Sequence, residues 1–184
     1  IVSKEMFSFL DRDEKKVALR PEFKAGVARA YIEHGLLNQP QPVRMTTIGS
    51  VFRYERPQAG RFREHHQWDV EVIGDAHPVL DAEVILLATR FFQALGVEVV
   101  VHINSIGTPE SRIKYNEALV GYFKQHRKLL SEEDKKRLIK NPLRLLDSKE
   151  PGMEELRANA PQIVDWLDEE SKQHFIRVLE YCDE

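Results

Sequence analysis

The chain has 184 residues, 42% of them hydrophobic, and a formal net charge of −3. That length suits one domain, or a domain with a smaller appendage, and the apolar content can fill a core. The weak negative charge excludes an overall basic field for nucleic acid, so anion binding has to be local, and no apolar run approaches the roughly 18–20 residues of a membrane span.

The opening "IVSKEMFSF" lacks a basic stretch followed by an apolar one, so it does not read as a secretory leader. It starts without Met, as if inside a strand, and a fragment of a larger protein is expected. "EMFSFLDR" and "KKVALRP" read as a short hairpin around Asp11–Lys16, with Pro21 ending the second strand. "EFKAGVARAYIEHG" places Phe23, Val27, Ala30, Tyr31 and His34 at helical spacing, with Gly35 as the stop. "LLNQPQP" is a loop. "VRMTTIGSVFRYE" reads as a strand broken at Gly49, and "RPQAGR" as an exposed loop. "HQWDVEVIG" alternates, with Trp68, Val70 and Val72 on one face and Gln67, Asp69, Glu71 and Ile73 on the other. The two strands should form a long antiparallel hairpin whose turn carries Arg56 and Arg61.

"HPVLDAEVILLATRFFQALG" reads as a helix ended by Gly96, and "VEVVVHINS" as a buried β-branched strand. Residues 1–107 are therefore expected to be an α+β core: an antiparallel sheet with flanking helices. Composition shifts after Gly107. In 108–184 the β signal fades, and short amphipathic helices follow one another. Thr108 should cap the first, with Pro109 in its first turn, and Ser131 the second. Asn141–Pro142, Pro151–Gly152 and Ala160–Pro161 punctuate a small all-helical subdomain. Cys182 is the single cysteine, which excludes an internal disulfide and points to a reducing compartment.

Four arginines, Arg53, Arg56, Arg61 and Arg63, crowd into one hairpin. A solvated turn is the plain reading. The spacing favours more. Arg53 and Glu55 are two apart on a strand and should share a face, as should Gln67, Asp69 and Glu71 on the next. Arginine forks onto phosphate, whereas carboxylates and an amide receive an ammonium or an exocyclic amine. Such a face suits a nucleotide together with an amino acid. Arg20 and Glu22 flank Pro21 at a strand-to-helix junction. Glu22 either favours the helix N-terminus or stands at the mouth of the sheet. Seven histidines form no HxxxH or HExxH set, so no metal site is expected; Walker, GxGxxG and GxSxG loops are also missing.

"FRYERPQAGRFREHHQ" resembles motif 2 of class II aminoacyl-tRNA synthetases, in the form seen in histidyl-tRNA synthetases. "ALRPE…AGVARAYIEHG" resembles their histidine-binding segment, and "INSIG…R…Y…AL" with "NPLRLLDSK" their insertion domain. The resemblance covers nearly the whole chain. It implies that 1–107 is part of a class II catalytic core and 108–184 the helical insertion. It implies a cytoplasmic, homodimeric ligase acting on ATP with Mg²⁺, histidine and tRNA(His). By position, Arg53 would bind the ATP α-phosphate and stabilise the charge developing there. Glu55 would take the adenine amine, Arg61 the γ-phosphate, and His65 would stack on adenine. Glu22, Lys24, Gln67 and Glu71 would line the histidine pocket.

The sequence also departs from the family. Phe23 and Lys24 stand where Gly-Thr is usual, and His65 where an aromatic is usual. No "RGLDYY"-like stretch, motif 3 or anticodon domain is present, so this piece alone should not charge tRNA. Lys24 and His65 also keep open a ligase-inactive paralogue, such as the regulatory subunit of the ATP phosphoribosyltransferase of histidine biosynthesis. A module whose arginines bind an acidic protein or RNA backbone is a third reading. Lys135, Lys136, Arg137, Lys140 and Arg144 read either as a contact to tRNA phosphates or as a solvated face balanced by Glu132, Glu133 and Asp134.

Overall fold

The structure, a computed structural model, describes residues 5–56, 58–150 and 152–183. Pro57 of the expected loop, Pro151 of the expected punctuation and the first four residues lie outside these. The chain forms two compact units, Ile1–Leu80 and Asp81–Glu184. That division comes earlier than the change in composition after Gly107.

In the first unit, β1 (Ser8–Leu10) and β2 (Lys16–Ala18) pair antiparallel, Ser8 opposite Ala18. Asp11 closes their turn: its Oδ1 accepts from the backbone N–H of Asp13 and of Lys15, each at 2.9 Å. An Asx-type turn of this kind is what an aspartate after a strand offers. α1 (Lys24–Glu33) follows, burying Val27, and Gly35 at φ 64° ends it in the left-handed conformation. β3 (Val43–Phe52) and β4 (Glu64–Ile73) then form a ten-residue antiparallel ladder from Val43 opposite Ile73 to Phe52 opposite Glu64.

Gly49 does not break β3. It pairs with Gln67 within the ladder. A Cβ there would stand 3.4 Å from Cζ of Phe23. Phe23 precedes α1 and lies over this position, so a Cβ would meet its ring at ordinary contact distance and only a larger side chain would run into it. One backbone bond fixes the strand-to-helix segment at the end of the ladder, Phe52 N–H to Arg20 O at 2.9 Å, and another ties the stretch before β1 there, Tyr54 N–H to Glu5 O at 2.7 Å.

In the second unit, α2 (Pro78–Ala94) ends at Gly96, φ 70°, with Val97 N–H returning to Phe92 O at 3.0 Å. The expected strand after it is not formed. Residues 97–101 join no ladder, and Val100 is 82% exposed. β-branched residues fit a paired pleated surface, but the surface has to be supplied by another strand. Among the described residues of this unit none is present.

α3 (Pro109–Gln125) starts as the sequence suggests, Thr108 Oγ1 accepting from Ser111 N–H with Pro109 in the first turn. Tyr115, Leu119 and Phe123 recur every four residues and face inward. They pack with Leu138 of α4 (Glu132–Lys140), Leu145, Met153 and Leu156 of α5 (Met153–Ala158), and Ile163. Ser131 caps α4 by accepting from Asp134 N–H. α6 (Glu169–Asp183) buries Val178. Asp168 precedes α6 and serves two helix starts. Its Oδ1 accepts from Ser171 N–H at 2.9 Å, and its Oδ2 accepts from the hydroxyls of Ser111 and Thr108 at 2.9 and 3.0 Å.

Candidate functional site

The β3–β4 register decides which side chains meet. Opposite residues of an antiparallel pair share a face, so Val51, Gly49, Thr47 and Met45 lie with His65, Gln67, Asp69 and Glu71. The Arg20–Lys24 segment lies over this face at Gly49. Arg20 Nε donates to Ser50 O at 2.7 Å, and its guanidinium stands 5.6 Å from the Phe23 ring centre.

Arg53 continues β3 by one more backbone bond, its N–H to Arg63 O at 2.9 Å. Its side chain is held at two points: Nε donates to Pro21 O at 3.0 Å and Nη2 to Gln67 Oε1 at 3.4 Å. Gln67 passes the contact on, its Nε2 donating to Asp69 Oδ1 at 3.4 Å. Both ends of the amide thus have a matching partner, oxygen toward guanidinium and NH₂ toward carboxylate.

Two carboxyl groups complete the face. Asp69 is only 9% exposed. Its Oδ2 and the Oε1 of Glu71 are enclosed without a hydrogen-bond partner among the described residues. Burial pushes the Glu71 carboxyl above the ordinary glutamate range, and the neighbouring Asp69 charge adds to this. Lys24 acts in the opposite direction, while a bond to Asp69 that only a protonated carboxyl could donate, and the Glu22 charge, reinforce the rise. Around Glu71, Glu22 and Asp69 add negative charge and Lys24 positive charge, while the guanidinium groups of Arg20 and Arg53 lie on the same face.

The turn is built separately. Glu55 does not share the strand face with Arg53 as its spacing suggests. Its N–H bonds back to Arg53 O at 2.8 Å, a tight turn that takes it off the ladder. The carboxylate meets Arg61 Nε at 3.1 Å, while Arg63 Nε donates to Glu55 O at 3.2 Å and its guanidinium lies 4.2 Å from the Tyr54 ring centre. Arg61 is exposed, and Gly60 at φ 75° turns the chain beside it. His65 is half-buried, opposite Val51 and two positions before Gln67.

The structure thus gathers Glu22, Lys24, Arg53, Gln67 and Glu71 around one face and pairs Glu55 with Arg61 at the turn. Asp69 belongs with the first group, although the motif match does not select it. Alternation alone places it on that face; its enclosure depends on the partner strand and the covering segment. In the second unit, Lys135 is tied to Glu132, and Arg137 to Glu133 and Asp134. These pairs partly favour the solvated reading of that basic run. Among the described residues no group of three or more His, Cys, Asp or Glu could hold a metal ion, and no helix is long and apolar enough to cross a membrane.

The profile of the tRNA synthetase class II core domain (G, H, P, S and T) matches residues 7–179. The crystal structure of apo S. aureus histidyl-tRNA synthetase is similar at a TM-score of 0.66 and 35% identity, over 97% of this chain and 41% of that one. An ATP phosphoribosyltransferase regulatory subunit/histidyl-tRNA synthetase from Bacillus halodurans C is similar at a TM-score of 0.57 and 23% identity, over 100% of this chain and 50% of that one. This second likeness concerns the fold alone. The chain spans half the length, or less, of these two proteins. A profile match over almost all of the chain, on an α+β frame with antiparallel strands, places it in one family: the chain belongs to the class II tRNA synthetase core family.

Proposed function

We propose that this chain is the motif 2 part of a histidine–tRNA ligase, which activates histidine with ATP and charges tRNA(His). The observation that carries the reading is the convergence of Arg53, Gln67, Glu71 and Glu22 on one sheet face. An anion subsite there adjoins a cation subsite. An amino acid about to be adenylated needs both: carboxylates for its ammonium, and an arginine where its carboxylate meets the α-phosphate.

In this reading Arg53 is preset. Pro21 O and Gln67 hold it by Nε and Nη2, which leaves guanidinium N–H groups for the α-phosphate and for the charge that builds as the histidine carboxylate attacks. Glu55 takes the adenine amine and Arg61 the γ-phosphate once nucleotide separates them, and His65 stacks on the base. Glu22, Gln67 and Glu71 take the α-amino group. Mg²⁺ would come with the triphosphate and would offset its charge, while Arg53 and Arg61 are this chain's own contacts to the phosphates. Positioning and electrostatics supply the rate, with no protein nucleophile. A cytoplasmic homodimer, with the insertion helices toward tRNA, belongs to the same proposal.

The test is histidine-dependent ATP–pyrophosphate exchange on the longest natural polypeptide containing this sequence. We expect exchange that requires histidine and falls by about 10²–10³-fold or more in Arg53→Ala. Full activity in that variant rules the assignment out. One observation favours a second reading, a ligase-inactive paralogue: Lys24 sets an ammonium beside Glu71, where the substrate amine would go. A folded protein without exchange that gains it on Lys24→Thr would establish that reading.

A further inference from the structure

The second unit holds a cavity of about 340 Å³, lined by none of the residues of the scheme above. Its buried lining is apolar: Tyr115, Ala160 and Ile163, which also belong to the helical core. The Tyr115 hydroxyl donates to Pro161 O at 3.0 Å, which commits the one hydroxyl there. Half-buried Leu146, and Phe175 of α6, add further apolar surface. Three polar side chains join them. Arg157 of α5 uses only Nε, donating to Met153 O at 3.3 Å, so both Nη groups are without a partner among the described residues. Asn104 gives its Oδ1 to the N–H of Ser105 at 2.9 Å and keeps its NH₂ to donate. Gln162 brings an amide with no partner among the described residues. No Asp or Glu lines the cavity among the described residues.

We propose that this cavity is a receptor for a small organic monocarboxylate with an aromatic or branched apolar body. The body lies on the apolar lining, and the carboxylate meets the Arg157 guanidinium, with Asn104 and Gln162 as further donors. Small-molecule sites have this size and this make-up, an apolar lining with a few placed polar groups that fix orientation. A guanidinium with two uncommitted Nη groups matches a carboxylate as a fork. The alternatives fit less well. An ammonium would meet Arg157 and no carboxylate. A phosphate monoester would bring close to two negative charges to one cation and leave the apolar lining uncovered. A neutral apolar body would strip water from Arg157 and the two amides and return no acceptor. The cavity also joins parts that lie far apart in the chain. Asn104 stands just before Gly107 and the start of α3, whereas Phe175 lies on α6. A ligand seated here would tie both to the helical core. The inference concerns the second unit alone and does not rest on the histidine reading.

Ligand-observed NMR titrations on the longest natural polypeptide containing this sequence test this, with three probes of nearly one shape: phenylacetate, phenylacetamide and phenethylamine. Phenylacetate is expected to bind saturably, the amide about tenfold more weakly, and the amine not at all. Two substitutions locate the site. Arg157→Met keeps much of the side-chain stem and removes the charge, so phenylacetate should fall to the level of the amide while the amide is unchanged. Val164→Phe adds bulk to a half-buried lining position and should remove both. Circular dichroism confirms that each variant is folded, and if Val164→Phe is not, Arg157→Met decides alone. Equal binding of the three probes overturns the inference. So does phenylacetate binding that Arg157→Met leaves intact, or no saturable binding up to about 10 mM. Histidine-dependent exchange is no part of these readouts, so the histidine reading stands or falls separately.

Discussion

The two units treat buried carboxylates in opposite ways. In the helical unit, Asp134 is 0% exposed, and both its oxygens accept from Ser148 Oγ, at 3.1 and 3.0 Å, with Arg137 Nη1 adding a bond at 3.1 Å. Asp168, which is only partly covered, likewise receives donors from Ser111, Thr108 and Ser171. On the sheet face of the first unit, Asp69 and Glu71 each keep an oxygen without a donor among the described residues. Asn116 Oδ1 is the exception in the helical unit. Satisfied carboxylates tie helices together, whereas unsatisfied ones sacrifice stability for a site. The comparison teaches how to tell a structural polar group from a functional one when both are buried.

The largest effect on stability belongs to the helical core. Leu119 is fully buried among Tyr115, Phe123 and Leu145. Leu119→Ala removes apolar contact and leaves a cavity, so a loss of about 2–5 kcal/mol in urea unfolding is expected. Pyrophosphate exchange per folded molecule should persist, because no site residue lies there. A variant that keeps its stability would mean that this cluster is not a core.

The comparison sharpens when one carboxylate contact is removed from each unit. Ser148→Ala takes a donor from both oxygens of Asp134 and should cost about 1–3 kcal/mol. Glu71→Gln removes a charge that burial and Asp69 disfavour more than Lys24 favours it, so stability should rise, by up to about 1 kcal/mol, while histidine-dependent exchange collapses. Urea midpoints read the first quantity and exchange the second. The same sign of stability change in both variants would dissolve the distinction.

How much of this is legible in the sequence depends on how far apart the cause and its effect lie along the chain. Thr108 and Ser131 cap helices through N–H groups three residues on, and both are readable at that range. The β3–β4 face follows from alternation, which is also local. Gly49 reads as a break because glycine is disfavoured inside a strand, but the ladder from β4 carries it through, with Phe23 of a distant segment packed over it. The Val97–Val101 run reads as a buried strand because β-branching reports a capacity to pair, not the presence of a partner. Alternation puts Asp69 on the right face but assigns it no role. Its enclosure comes from β3 and the segment over it, and no spacing within one strand encodes that.

The smallest expected effects concern acid, and here the two units should respond with opposite signs. Asp168 is held below the ordinary aspartate range, first by the Ser171 N–H and then by the Ser111 hydroxyl. A carboxyl with a lowered folded pKa contributes stability that is complete above its unfolded value, about 3.9, and is lost as pH falls toward the folded one. Glu71 is held above its ordinary range by burial first and by Asp69 second. A raised folded pKa works the other way: the penalty is complete above the folded value and fades as pH falls from there toward the unfolded value, about 4.3. Mild acid should therefore relieve the first unit before stronger acid weakens the second. Amide hydrogen exchange across a pH series reads each unit separately. Glu71→Gln should abolish the gain at 43–73 and leave the loss at 108–183, and Asp168→Asn should do the reverse. If both variants flatten the same residues, the carboxylates are not acting within their own units.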